Sequence, residues 1–165
     1  MREVVIVEAV RTQMGRRGGV LSGIHPNELG AKVLNEVVKR AGIESGMVED
    51  VVFGCVDQVG EQGMNAARNV LLTADFPYTV PATTVDRQCG SAQQAIHFAA
   101  NLISSGVCDI TIGGGVESMS RVQMGANVMQ GPGSPLNPAL MAKYDLTPQG
   151  ISAEEIAVKW GIERA

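Results

Sequence analysis

The chain has 165 residues, a net charge of -4, 20 glycines and few aromatic residues. That length suffices for one domain with a packed core, and the charge leaves no basic footprint for nucleic acid or an anionic membrane surface. The three cysteines, Cys55, Cys89 and Cys108, are widely spaced, which fits neither a disulfide framework nor a zinc site, and no metal is expected.

Val4 to Val10 reads as a buried strand. It is too short for the apolar core of a signal peptide, and no run elsewhere approaches a membrane span, so a cytoplasmic setting is expected. Gly15 to Gly23 is a loop. Its Arg16 and Arg17 are read as a solvated basic pair, and the loop does not match the phosphate-cradling G-x-x-x-x-G-K-[ST] pattern. A helix follows. Pro26 suits its first turn and Glu28 its positive end. Leu29, Val33, Val37 and Ala41 recur at helical spacing, and Gly42 caps the C-terminus. His25, at the entry, is read as a surface or capping residue.

Val51 to Val56 is the second strand, with Cys55 as core filler. A glycine loop leads into a helix over 64–74, ended by Asp75-Phe76-Pro77. Pro81 to Val85 is the third strand. A long helix then carries Ala92, Ala95, Ile96, Ala99, Leu102 and Ile103 on one stripe. Gln93, His97, Asn101 and Ser104 form a polar stripe, with His97 expected as a hydrogen-bonded packing residue. Gly106 ends this helix, and Cys108 beyond it is read as structural. Asp109 to Ile112 is the fourth strand, leading into Gly113-Gly114-Gly115, where a tight turn with close backbone approach is expected. Prolines and glycines from Gly131 to Pro138 break regular structure. Ser152 and Glu155 have capping-box spacing at the start of a short last helix.

Cys89 lies where the third strand turns into the long helix. A helix N-terminus offers unpaired N–H groups and partial positive charge, which favour a thiolate, the nucleophilic form of cysteine. Position alone leaves two readings, a small buried hydrophobe or a nucleophile. His97 is two helical turns further on, roughly ten ångströms or more at ~1.5 Å per residue. That is too far for it to act as the base of Cys89.

The wider sequence narrows the choice. Cys89-Gly90-Ser91-Ala92 with Ala95 and Ile96 resembles the acyl-enzyme signature of the thiolases. Arg11-Thr12-Gln13-Met14-Gly15 with Gly18-Gly19 resembles their "RTPxGxxGG". Glu61 to Arg68 resembles "GQGxNxAR", and Gly113 to Ser120 resembles "GGxESMS". Four stretches in this order make the resemblance specific, and it covers essentially the whole chain. Asp86 departs from the signature, where a small polar residue is common, and Gln93 replaces a usual aliphatic. Gln93, Gln94 and the segment around Pro135 resemble a branch that includes thiolases of bacterial lipid and steroid catabolism.

The resemblance implies an α/β fold, the N-terminal half of a five-layered α-β-α-β-α sandwich with a mixed, largely parallel sheet. It divides the chain into a domain over 1–120 and the start of a loop domain over 121–165. The last strand of the family's first sheet comes from beyond the loop domain, so a sheet edge that is uncovered or pairs with another chain is expected. The activity implied is thiolytic cleavage of a 3-oxoacyl-CoA, or the reverse Claisen condensation, through an acyl-thioester on Cys89. Coenzyme A and acyl-CoA enter as substrates, with no tightly bound cofactor and no residue singled out for binding them. A homodimer or tetramer is implied, with Ala82 to Val85 as the pairing strand.

The family's C-terminal "NEAF", "GHP" and "CxGGG" stretches, which carry a catalytic histidine and a second cysteine, do not occur here. The expectation is therefore a chain that is inactive alone and possesses a separate C-terminal partner half. The alternative is a noncatalytic split subunit that only folds, dimerises or binds a partner. A ketoacyl synthase is the other enzyme reading, and the "GQGxNxAR"-like and "GGxESMS"-like stretches favour thiolase over it.

Overall fold

The structure is a computed structural model that describes residues 2–164. The chain divides into two compact units, Met1–Gln130 and Gly131–Ala165. The first contains helix α1 (Pro26–Ala41), strand β1 (Asp50–Gly54), α2 (Ala66–Thr73), β2 (Ala82–Val85), α3 (Ser91–Ser104), β3 (Thr111–Gly115) and a short α4 (Ala126–Met129). Residues beyond Ser120 are tied into this unit. The Arg121 guanidinium donates two hydrogen bonds to Glu61, and Asp57 accepts from the backbone N–H groups of Gly125 and Asn127.

Helix α1 forms where its end signals predict. The Nδ1 of His25 accepts the N–H of Asn27 at 3.1 Å, Pro26 occupies the first turn, and Gly42 closes the helix with φ of 69°. This fulfils the capping role expected of His25.

The three strands pair in parallel in the order β2-β1-β3. Alternation along β1 sends side chains to opposite faces of this sheet. Val51 and Phe53 join Leu34, Val38, Val70 and Leu71 in one apolar cluster with α1 and α2. Val52 and Gly54 point to the other face, where α3 lies. The packing there is unusually close. A Cβ on Gly54 would sit 2.3 Å from the backbone of Ser91 and Ala92, and one on Gly113 would sit 2.7 Å from the Cα of Ile96. The Thr111 hydroxyl adds a hydrogen bond to the Ala99 carbonyl at 3.1 Å. The first unit is thus a three-layer α/β/α arrangement with helices on both faces of a parallel sheet.

Four expectations need correction. The triple glycine is not a turn but lies within β3, where missing side chains let α3 approach the sheet; the close approach itself was expected. Val4 to Val10 joins no ladder among the described residues, and Val5, Ile6 and Val7 are 66%, 81% and 75% exposed. β-branched residues fit a pleated surface packed by neighbours, and the preference does not make a strand without a ladder partner. The run instead lines one wall of an open apolar trough of about 1160 Å³, facing Val33 and Val37 of α1, Ile103 of α3 and Ile112 of β3. His97 is exposed on α3 rather than packed, and on the apolar stripe Ala95 and Ala99 are buried while Ile96 is half exposed. Small residues face the sheet because the glycine surface leaves no room for larger ones.

The second unit holds α5 (Pro138–Met141) and α6 (Gln149–Trp160). Helix α6 starts three residues before Ser152, so Ser152 and Glu155 form no capping box; Ser152 hydrogen-bonds the Thr147 hydroxyl instead. No residue of α5 or α6 is buried. Among the described residues no helix is long and apolar enough to cross a membrane.

Candidate active site

The C-terminal ends of β1, β2 and β3 lie side by side, because Gly54 registers with both Val85 and Gly115. In open parallel sheets this is the edge where ligands bind. Strand β2 ends at Val85, and after five intervening residues α3 begins at Ser91. Cys89 stands in that connection and is exposed.

The connection is a tightly braced turn. Gln88 has φ of 48°, the left-handed region that side chains disfavour. Asp86 Oδ1 accepts the N–H of Gln88 at 2.7 Å, an Asx turn that offsets part of that cost. The Ser91 hydroxyl accepts the N–H of Arg87 at 2.8 Å and donates to the Gln88 carbonyl at 2.6 Å. Backbone N–H groups of Gly90 and Ser91 close onto the Arg87 and Gln88 carbonyls. Arg87 reaches across to the Gln94 side chain. Ser91 and Gln94 are both buried, so the bonds they make are partly sheltered from water.

The resembling stretches around Cys89 are scaffold. Asn65, itself left-handed at φ of 61°, caps α2 through Oδ1 and accepts the Thr84 hydroxyl at 2.7 Å. Thr84 also accepts the N–H of Ala67 at 2.9 Å, and Asn65 Nδ2 donates to the Ala82 carbonyl. Arg68 donates to the carbonyls of Tyr78 and Val80. Together these bonds sew α2 to the strand that delivers Cys89. Gln62 is fully buried. It donates to the Asp57 carbonyl at 2.9 Å and accepts the N–H of Ser118 at 2.8 Å. Glu117 accepts the N–H of Asp57 at 2.8 Å, and Ser120 accepts that of Gly18. The stretches at 18, 61–68 and 117–120 therefore meet as one hydrogen-bonded support.

The buried acid Asp57 went unnoticed in the sequence. A lone aspartate after an apolar strand carries no signal that both its oxygens will accept backbone N–H groups 68 and 70 residues away.

The other two cysteines are buried. Burial pushes the Cys55 thiol up to about 12, with the carboxylates of Glu117, Asp57 and Asp86 adding to the effect. Burial also raises Cys108, helped by Glu49, Asp50 and Asp109. Both stay protonated and inert, in keeping with core roles. Neither histidine is placed as a partner of Cys89. His25 uses Nδ1 for its cap and has Nε2 4.0 Å from Glu61, while His97 lies two turns along α3. The Arg121 hydrogen bonds hold the Glu61 carboxyl below the usual carboxylate range.

The model of the thiolase N-terminal domain matches residues 4–165. The chain belongs to the thiolase family. Among curated thiolases it is 42% identical over 172 residues to a steroid 3-ketoacyl-CoA thiolase of Mycobacterium tuberculosis, covering 99% of this chain and 42% of that protein. It is 42% identical over 168 residues to a 3-ketoacyl-CoA thiolase of Bacillus subtilis, covering 99% of this chain and 41% of that one. The crystal structure of an acetyl-CoA acetyltransferase from Bacillus anthracis aligns with a TM-score of 0.78 at 34% identity, over 96% of this chain and 42% of that chain. The chain thus spans about two fifths of the length of these thiolase relatives. The expected family and its α/β fold are borne out over that portion.

Proposed function

We propose that this chain supplies the nucleophile of a thiolase-type acyl transfer, with Cys89 as the attacking residue. The observation that carries the reading is the braced turn, which presents Cys89 exposed just before α3 while both other cysteines are buried. In the degradative direction the Cys89 thiolate attacks the ketone carbon of a 3-oxoacyl-CoA. The carbon–carbon bond breaks, the acyl group stays as a thioester on Cys89, and acetyl-CoA leaves after its α-carbon gains a proton. A second coenzyme A then takes the acyl group and the thiolate is restored. Covalent catalysis divides one difficult step into two. The backbone N–H of Cys89 is the oxyanion donor this chain contributes. Coenzyme A and acyl-CoA act as substrates, with no resident cofactor.

The first stage also needs a base for the Cys89 thiol and an acid at the substrate α-carbon, and the second needs a base that takes the proton of the incoming coenzyme A thiol. With His25 engaged in its cap and His97 two turns away, we assign those groups to the C-terminal thiolase half. The segment 121–165 corresponds in this reading to the start of the loop domain. Two copies pair through the outer edge of β2, which is an edge strand of the sheet, and the assembly works in the cytoplasm.

Thiolysis of acetoacetyl-CoA tests the reading. General acid–base assistance is worth about 10²–10⁴-fold, so the 165-residue chain alone should show no turnover. Mixing with the C-terminal half of a thiolase relative should restore turnover, and Cys89→Ala should abolish it. Restored turnover that survives Cys89→Ala would refute the assignment.

A further inference from the structure

We propose that Ser91 and Asp86 are positioning residues for Cys89, a pair of side chains that hold the thiol at the N-terminal end of α3. The proposal rests on the assignment of Cys89 as nucleophile. Neither residue reacts. Ser91 acts through the backbone on both sides of the turn, taking the N–H of Arg87 and giving its own proton to the carbonyl of Gln88. Asp86 takes the N–H of Gln88. All three backbone groups belong to the two residues that immediately precede Cys89.

The need for a brace is specific. Gln88 adopts a left-handed conformation, which costs roughly 1–2 kcal/mol for an L-residue with a side chain. Such a conformation persists only where its surroundings over-determine it. Ser91 is 4% exposed and its bonds are partly sheltered from water, so loss of the hydroxyl leaves the Arg87 N–H without its acceptor and the Gln88 carbonyl with only the Ser91 N–H. The Ser91 backbone is itself clamped against Gly54 of β1. The brace thereby references the turn to the sheet rather than to a mobile loop.

Cys89 is already exposed, so loosening the turn adds little access. What can change is how well the thiolate shares the helix N-terminal N–H groups and partial charge. Site-resolved mass spectrometry of iodoacetamide labelling reads this on the intact chain, with Cys55 and Cys108 as internal references. Ser91→Ala should slow Cys89 labelling at pH 7 by about tenfold, the value of one hydrogen bond and a little more. At pH 9.5, where an ordinary thiol is largely ionised, the difference should shrink to about twofold or less. A general loss of structure would instead speed the labelling of Cys55 and Cys108. Asp86→Asn and Asp86→Ala form the second test, at an exposed position that folding tolerates. Both remove the charge and only the first keeps the acceptor, so Cys89 should label about threefold faster in Asp86→Asn than in Asp86→Ala. Equal rates for that pair, or a Ser91→Ala effect that is absent or the same at both pH values, would overturn the positioning role. If Cys89 in the unaltered chain labels no faster than Cys108, the nucleophile assignment itself fails.

Discussion

Cys55 and Cys89 follow the ends of neighbouring strands, yet their surroundings are opposite. Cys55 continues straight out of β1, donates its N–H to the Val85 carbonyl and is 1% exposed among three carboxylates. Cys89 comes after a left-handed residue that turns the chain out of β2, and it is exposed ahead of α3. The same side chain is thus held neutral in one place and presented to solvent in the other. What separates them is backbone geometry, set by Gly54, Gln88 and the hydrogen bonds of Asp86 and Ser91.

The strongest way to break this difference is to move α3. Gly54→Ala would drive a methyl group into the Ser91 and Ala92 backbone, which cannot swing aside as a side chain can. A loss on the order of 3 kcal/mol or more in denaturant unfolding is expected. Gly23→Ala, which meets nothing within 4 Å, should stay within about 0.5 kcal/mol. Gln62→Leu removes the bridge between the Asp57 carbonyl and the Ser118 N–H. It should cost about 1–3 kcal/mol by the same measurement, because the buried Ser118 N–H loses its acceptor and the Asp57 carbonyl is left with the Val59 N–H alone.

The pH dependence of stability sharpens the comparison from the side of Cys55. Its folded-state pKa, about 12, lies above the value of about 8.5 for a free thiol. The folded chain therefore holds this proton more tightly than the unfolded chain. That contribution is fully present below about pH 8.5 and is lost as pH rises toward 12, at up to about 1.4 kcal/mol per pH unit. Denaturant titrations between pH 8 and 10.5 should show the decline, and Cys55→Ala should flatten it to the part left by Cys108. A smaller change of opposite sign is expected at the turn. Gln88→Gly relieves the left-handed strain by more than the added freedom of glycine in the unfolded chain costs, and should raise stability by up to about 1 kcal/mol in thermal unfolding.

Much of this architecture could be read from the sequence, for local reasons. Pro26, Glu28 and Gly42 mark the ends of α1 by steric and electrostatic rules that operate within a few residues. The position of Cys89 between a β-branched run and a proline-free run of small residues was equally visible. Resemblance supplied the family and the choice of cysteine. What stayed hidden depends on distant partners. Val4 to Val10 has strand composition, but its state depends on whether a ladder is available. Three successive glycines suggest a turn until α3 is seen lying against them. The left-handed Gln88 has no compositional marker, since glutamine is not a residue that favours that region. The bracing roles of Gln62, Asn65 and Asp57 arise from bonds spanning 5 to 70 residues.

The central claim is that the turn presents Cys89 for reaction while the fold withholds the other two thiols. Iodoacetamide labelling of the unaltered chain at neutral pH, followed at each cysteine by mass spectrometry, tests it most directly. Cys89 should be modified first, with Cys108 and Cys55 protected until the chain unfolds. Labelling of Cys55 or Cys108 at a rate equal to or above that of Cys89 in the folded chain would contradict it.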